Sequence, residues 1–203
     1  WVVRNVGATA RNGVVGDSDA GTAVAVNNKD AYDSVTFTDQ LFVAKYPGAL
    51  GNSLKVEAID ANGWADATGN ATFLANFDRA PGTSTDVGNA GGASDEMHVI
   101  VIDEDGLWTG TPGYVLEKHA FVSKASDAKK IDGSSNYVVN VMRNESKYAY
   151  VGLVTEFTAN ATGAGGDAGD TKAGTTFKEF NSATASESVP GGSMTGGVDD
   201  NTQ

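Results

Sequence analysis

LFVAKYPGALGNSLKVEAI, residues 41–59, decides the fold. It joins an apolar run, a Tyr-Pro-Gly turn and an amphipathic strand. Pro47 fixes φ and Gly48 permits φ > 0, so Tyr46 to Ala49 is expected to form a tight turn and Gly51-Asn52 a second one. The chain should reverse or jog there. Beyond it Leu54, Val56 and Ala58 alternate with Lys55, Glu57 and Ile59, the period of two of a strand with a buried face. None of these side chains is chemically reactive.

Outward from this block the pattern is strand, loop, strand. Trp1 to Val6 and Thr22 to Val26 read as short strands, with Asn27-Asn28-Lys29-Asp30 as an exit turn. Asn62-Gly63 is a turn signal. Thr72 to Phe77 is apolar enough for a strand or a helical turn, and its period does not separate the two. Met97 to Asp103 is nearly continuous apolar, Asp105-Gly106 is a favoured turn, and Tyr114 to Val122 supplies a returning strand, so a hairpin is expected whose loop exposes Trp108. Ser126 and Asp127 are placed to cap a short helix through Lys130. Tyr137 to Met142 and Tyr148 to Val154 read as further strands. From Thr158 the period is lost, and Ala159 to Thr176 is expected to be a mobile or edge-hugging loop anchored by Phe177 and Phe180.

Twenty-six glycines against four prolines in 203 residues point to many turns rather than a helical bundle. The expected class is mainly β (α+β), a two-layer β-sandwich-like domain with one or two short peripheral helices and long Gly-rich loops. Residues 1–157 would form the β-rich domain and 158–203 a Gly/Ala/Ser-rich exit segment.

A net charge of −12 argues against nucleic-acid binding, which needs basic patches to displace counterions, and disfavours anionic membranes. The chain has no cysteine, which removes disulfides, thiolate metal sites and Cys nucleophiles. Asp103, Glu104 and Asp105 lack the alternating ligands of a calcium loop, and Asp167 and Asp170 sit in a single Gly-rich motif without the tandem copies such a site needs. His98 and His119 read as packed strand residues, and no nucleophile elbow or phosphate loop is present. The three Asn-x-Ser/Thr triplets carry no weight. No catalytic, cofactor-binding or metal residue is therefore assigned, and no enzymatic activity is expected.

The block Tyr46, Pro47, Gly48, Gly51, Asn52 resembles the YPG-x-x-GN signature of contractile-tail sheath proteins of myovirus bacteriophages. Ala10-Arg11-Asn12 is similar to the family's A-K-N element, and Tyr114 to Lys118 to its G-x-V-L-E strand. Ser126 to Lys130, followed by the Asp132-to-Val139 turn and strand, is similar to its S-D-A-K passage. Met194-Thr195-Gly196-Gly197-Val198-Asp199 is similar to its L-x-G-G-x-D passage. The resemblance rests on co-linearity, since Pro-Gly and Gly-Gly pairs are common in loops.

What this resemblance implies is mechanical. Sheath subunits polymerise helically around a tail tube and contract, so the partners would be neighbouring sheath subunits and the tube. The location would be the virion tail, after assembly in the host cytoplasm. A chain opening at Trp1 and closing in Asp199-Asp200-Asn201-Thr202-Gln203 is expected to be one middle or outer domain of a larger subunit, with an α/β core to follow. The reading from a different class is a carbohydrate- or receptor-binding β-sandwich in which Trp64 or Trp108 stacks on sugar rings.

Overall fold

A computed structural model describes residues 7–16, 21–65, 71–159, 161, 164–180 and 189–200. The strand expected at Trp1 to Val6 lies outside them. Two antiparallel sheets share one core. The first has the order β1 (Asn12–Val15), β2 (Phe42–Pro47), β6 (Ala149–Val151). The second is built from β3 (Leu54–Ile59), β4 (Glu96–Asp103), β5 (Tyr114–Ser123) and β7 (Gly191–Ser193), ordered β5-β4-β3-β7. Phe42, Ala44 and Val151 from the first layer and Leu54, Val56, Val99 and Val101 from the second meet in a single buried cluster. The chain is thus a β-rich α+β, sandwich-like domain.

The jog of residues 41–59 carries the chain from one layer to the other. β2 pairs with β1 and β6, while β3 pairs with β4 and β7. The register of β3 on β4 runs without a break from Leu54↔Asp103 to Ile59↔His98, so the alternation read in the sequence does place Leu54, Val56 and Ala58 in the core. The hairpin β4–β5 forms as expected, with bulges between Met97 and Val99 and between Val101 and Ile102.

Elsewhere the local pattern misled in instructive ways. Residues 137–142 do not form a strand; Val138–Asn144 is helix α5. Val138, Val141 and Met142 are buried at spacings of three and four, so packing of one helical face outweighs the strand propensity of the valines. Thr72 to Phe77 resolves as helix for the same reason, Ala71–Asn76, with Phe73 and Phe77 stacked one turn apart at 6.0 Å.

Thr22 to Val26 makes only the single bridge Val24↔Asn12. The buried Asn12 side chain takes over the rest, donating to the carbonyls of Val26 and Ala44 and accepting from the Val26 N–H. Asn28 is a helix cap rather than part of an exit turn: its side chain accepts from Ala31 N at 2.8 Å and starts a helix over Lys29–Ser34. Asn62-Gly63 likewise lies inside the short helix Ala61–Ala65, whose first N–H groups are capped by Asp60. No helix runs from Ser126 to Lys130. Asp127 instead accepts from the Lys172 N–H, and Lys129 pairs with Ser135 across a small turn.

The Gly-rich stretch after Thr158 is tied down where it is described. Ala168 enters the core, Gly166 bridges Phe177, and Phe177 and Phe180 are buried as the expected anchors. At Phe180 the tie is a buried clamp. The Lys124 ammonium contacts Asp60 Oδ2 at 2.9 Å and donates to the Lys178 carbonyl at 2.7 Å. The same carboxylate oxygen accepts the Phe180 N–H at 2.7 Å, and Asn62 donates to the Phe180 carbonyl.

Candidate functional site

The residues of the Tyr-Pro-Gly block converge with two other segments of the chain. Pro47 is the last residue of β2 and pairs with Asn12, so the strand runs two residues, Tyr46 and Pro47, into the expected turn. Gly48 then breaks it with φ 122 and ψ 168, a region closed to residues with a Cβ. A 3₁₀ segment, Ala49–Ser53, replaces the two separate turns and delivers the chain to β3. Gly48 donates its N–H to the Arg11 carbonyl at 2.8 Å, which ties the break to the start of β1.

The third segment is Met194 to Asp199. Arg11 and Val198 exchange backbone hydrogen bonds, as do Val14 and Thr195. The Asn52 amide meets the Gly197 peptide twice: Nδ2 donates to the Gly197 carbonyl at 3.0 Å, and Oδ1 accepts the Gly197 N–H at 2.7 Å. Ala49 N donates to Asp199 Oδ1 at 3.3 Å. A side chain on Gly197 would meet the Gly48 carbonyl at 2.5 Å and Asn52 Oδ1 at 2.7 Å. Gly13 and Gly51 approach as closely, since a Cβ on Gly13 would sit 2.8 Å from the Gly51 carbonyl carbon.

Three elements far apart in sequence therefore form one joint. Asn12 and Gly13, Gly48 to Asn52, and Thr195 to Asp199 lock through backbone contacts and one bidentate amide. The sequence offered no sign that Gly197 would face Asn52, because the pairing follows from the course of the whole chain. Gly13, Gly51 and Gly197 bring no side chain to the joint and Asn52 brings a short amide, the requirements of close backbone packing.

Beside the joint, the mouth of the β4–β5 hairpin is organised by Asp103. Its carboxylate accepts from Ser53 Oγ at 2.7 Å, from the N–H groups of Trp108 and Thr109, and from Thr109 Oγ1. Burial pushes this carboxyl up, but these donors outweigh it and hold it below the usual value. Asp103 thus organises the loop. Asp167 pairs with Lys178, and Asp170 accepts the Asp167 N–H.

The two histidines differ. His98 is fully buried, with Nδ1 accepting from the Phe121 N–H and Nε2 against the Arg79 carbonyl, so the neutral Nε2–H tautomer satisfies both bonds. Burial holds its pKa down. His119 contacts Glu117 at 3.2 Å, and Glu117 also accepts from Ser146 Oγ at 2.6 Å and from Lys147 N. In this Ser–Glu–His cluster the carboxylate sits in the middle, so the imidazole does not touch the serine hydroxyl, unlike the order of a Ser–His–acid triad. Its geometric effect is to fasten the loop after α5 onto β5.

Lys45 does the same from the other side, donating to the carbonyls of Met142, Arg143 and Ser146 at the end of that helix. Burial lowers its pKa to about 8. Trp64 and Trp108 are both half-buried: Trp64 packs edge-on against His98, and Trp108 lies between Tyr46 and Tyr148. Among the described residues no group of three His, Asp or Glu side chains could hold a metal ion, and no helix is long and apolar enough to cross a membrane.

The site, then, is a structural joint in a two-layer β domain. No family model matches the chain. A tail sheath protein of Salmonella phage ViI is 30% identical to it over 116 residues, which is 57% of this chain and 16% of that protein. The chain is thus similar to part of a phage tail sheath protein, over a small share of that relative's length.

Proposed function

We propose that the chain is a structural domain of a phage tail sheath, working through its surfaces rather than through a pocket. The observation that supports this most is the joint. Ala10-Arg11-Asn12, the Tyr-Pro-Gly block and the Met-Thr-Gly-Gly-Val-Asp passage resemble sheath elements in sequence, and they are the segments whose backbones interlock at Arg11, Gly48, Asn52 and Gly197. Residues that build a joint transmit force between segments and need no reactive group.

On this reading the partners are neighbouring sheath subunits and the tail tube, and the place of action is the virion tail after assembly in the host cytoplasm. The domain would form part of the outer shell of a helical polymer that contracts during genome delivery. Neither catalysis nor a cofactor enters this function, and an acidic surface with a net charge of −12 suits neither nucleic acid nor anionic lipid. The test is electron microscopy of native particles labelled with an antibody against this chain. Regular label along tails, extended and contracted, is expected. Label confined to fibres, a baseplate or free protein would overturn the proposal.

A further inference from the structure

Phe121 sits where bulky side chains rarely do. Its φ is 54, one of two positive values outside glycine among the described residues, and for an aromatic residue that is an outlier. The cause is a bulge. Met97 pairs with Val122 and Val99 with His119, so β5 sets both Ala120 and Phe121 against the one residue His98.

Three side chains hold this conformation. Nδ1 of the buried His98 accepts the Phe121 N–H at 3.1 Å, and Asn136 Nδ2 donates to the Phe121 carbonyl at 2.9 Å, in place of ladder bonds. His98 Nε2 meets the Arg79 carbonyl, and the Arg79 guanidinium lies 3.9 Å from the centre of the Phe121 ring. Both backbone groups and one ring face are thus fixed. A strained bulge braced in this way is a means of aiming one side chain.

The ring is aimed at an open cleft of about 740 Å³, walled by the short helix Thr85–Asn89, the Glu96 end of β4 and the turn from Lys129 to Asn136. Arg79 takes no part in its lining, so the guanidinium backs the ring and leaves another aspect of it to the cleft. The volume falls in the range of small-molecule sites. The open shape suits a chain lying across it.

The chemistry of the lining selects the class of that chain. Three carboxylates and two ammonium groups nearly cancel, and most are engaged: Asp86 by Lys172, Glu96 by Arg79, Asp132 by Ser134 and Lys130 by Glu145. A strongly ionic ligand finds little net field there. Apolar surface is limited to the Phe121 ring with Ala120 and Ile131 beside it, too little for the side chains of an apolar peptide. The Thr85 hydroxyl and the Asn89 amide, by contrast, are exposed and make no hydrogen bond among the described residues. Each can donate and accept. One aromatic ring among amides and hydroxyls complements a pyranose, whose C–H face packs on the ring and whose hydroxyls both donate and accept.

We propose that this cleft binds a neutral glycan, with Phe121 as the aromatic platform and Thr85 and Asn89 as partners of the sugar hydroxyls. Trp64 and Trp108, the platforms suggested by the sequence, are packed against neighbours of their own. The bracing of Phe121 sets the ring before the ligand arrives, so little ordering cost falls on it. Glycan binding here does not depend on the chain's being part of a sheath, and the outcome of the antibody labelling leaves it untouched.

The experiment is an amide NMR titration of the full chain with two neutral oligosaccharides, maltohexaose and chitohexaose, and with hexagalacturonate and a neutral Gly/Ser hexapeptide as controls. A saturable shift with a neutral glycan is expected at the amides of Thr85, Asn89, Phe121 and Asn136, while Gly197 in the joint stays unmoved. Phe121→Asn keeps a residue that tolerates positive φ and removes the ring, so saturation should be lost. Asn89→Ala removes a side chain without a partner. Its thermal unfolding should be unchanged and its affinity about fivefold weaker.

No saturable shift with either neutral glycan overturns the proposal, as does an equal or stronger response to the galacturonate or the peptide. Wild-type affinity in Asn89→Ala overturns it as well, even where Phe121→Asn fails to fold.

Discussion

Two places hold the late part of the chain against the sheets, and they do it by opposite means. At Lys178 to Phe180 the grip is a buried ion pair, Asp60 with Lys124, both side chains almost wholly out of water. At Thr195 to Asp199 it is mainly neutral: backbone bonds to Arg11 and Val14 and the amide of the half-buried Asn52, with one exposed bond from the Ala49 N–H to the Asp199 carboxylate. The difference is one of reversibility. Opening the clamp strands charges in an apolar setting, whereas opening the joint exchanges neutral hydrogen bonds for those of water, at modest net cost.

The largest effect should come from breaking the clamp on one side. Asp60→Leu leaves the Lys124 ammonium with only the Lys178 carbonyl and the Phe180 ring, 4.5 Å from its centroid, and should cost about 3–5 kcal/mol. Lys124→Met should cost less, because Asp60 keeps the N–H groups of Asn62, Gly63 and Phe180. The double variant should recover much of the Asp60→Leu loss. Urea unfolding of the three proteins checks this, and a double variant no better than Asp60→Leu would show that the pairing of the two charges is not what matters.

Next come the glycines of the joint. Gly48→Ala forces a Cβ into a backbone region that excludes it, at about 1–3 kcal/mol. Gly197→Ala must displace the Gly48 carbonyl and should fall in the same range. Asn52→Ala removes both amide contacts from a site that water can reach, for about 1 kcal/mol. Amide exchange sharpens the comparison. Asn52→Ala should speed exchange at Gly197, leaving the Phe180 N–H protected; equal acceleration at both would mean that joint and clamp open together.

How far these features were legible depended on the range of the interaction that makes them. The β3 strand follows from local alternation, β4 from a nearly continuous apolar run and the β4–β5 hairpin from the Asp-Gly signal between them, and they form where expected. Helix α5 was also legible, in the spacing of Val138, Val141 and Met142, but its β-branched valines carry strand propensity that the local pattern does not outweigh. Asn12 and Asn28 escaped because one short amide serves as ladder substitute or helix cap with no change in its local surroundings. The block from Tyr46 to Asn52 was visible as a turn, but its partner Gly197 lies 145 residues from Asn52 and only the folded course of the chain joins them. The Asp60–Lys124 clamp was invisible for the same reason.

Acid is the gentlest way to separate regions, because the Asn52–Gly197 pair contains no titratable group while the sheet around it does. His98 is held below its ordinary value of 6.5 by burial, so the unfolded chain takes up its proton first and stability falls as pH drops through that value. Asp103 and Glu117 are held below the usual carboxylate values by their donors despite burial. Their contribution is complete above about pH 4–5 and is lost as pH falls through the lower folded values. Glu96 works in the opposite sense, since burial raises its carboxyl. The urea midpoint should therefore decline in two stages, one beginning near pH 6.5 and abolished in His98→Gln, the other at lower pH and reduced in Ser53→Ala, which removes a donor to Asp103. Exchange at Leu107 and Thr109, in the hairpin mouth, should accelerate in the second stage before exchange at Gly197 does. A midpoint flat from pH 7 to 5.5 would show that His98 carries no such linkage, and simultaneous loss at Thr109 and Gly197 would show that the joint depends on the Asp103 network beside it.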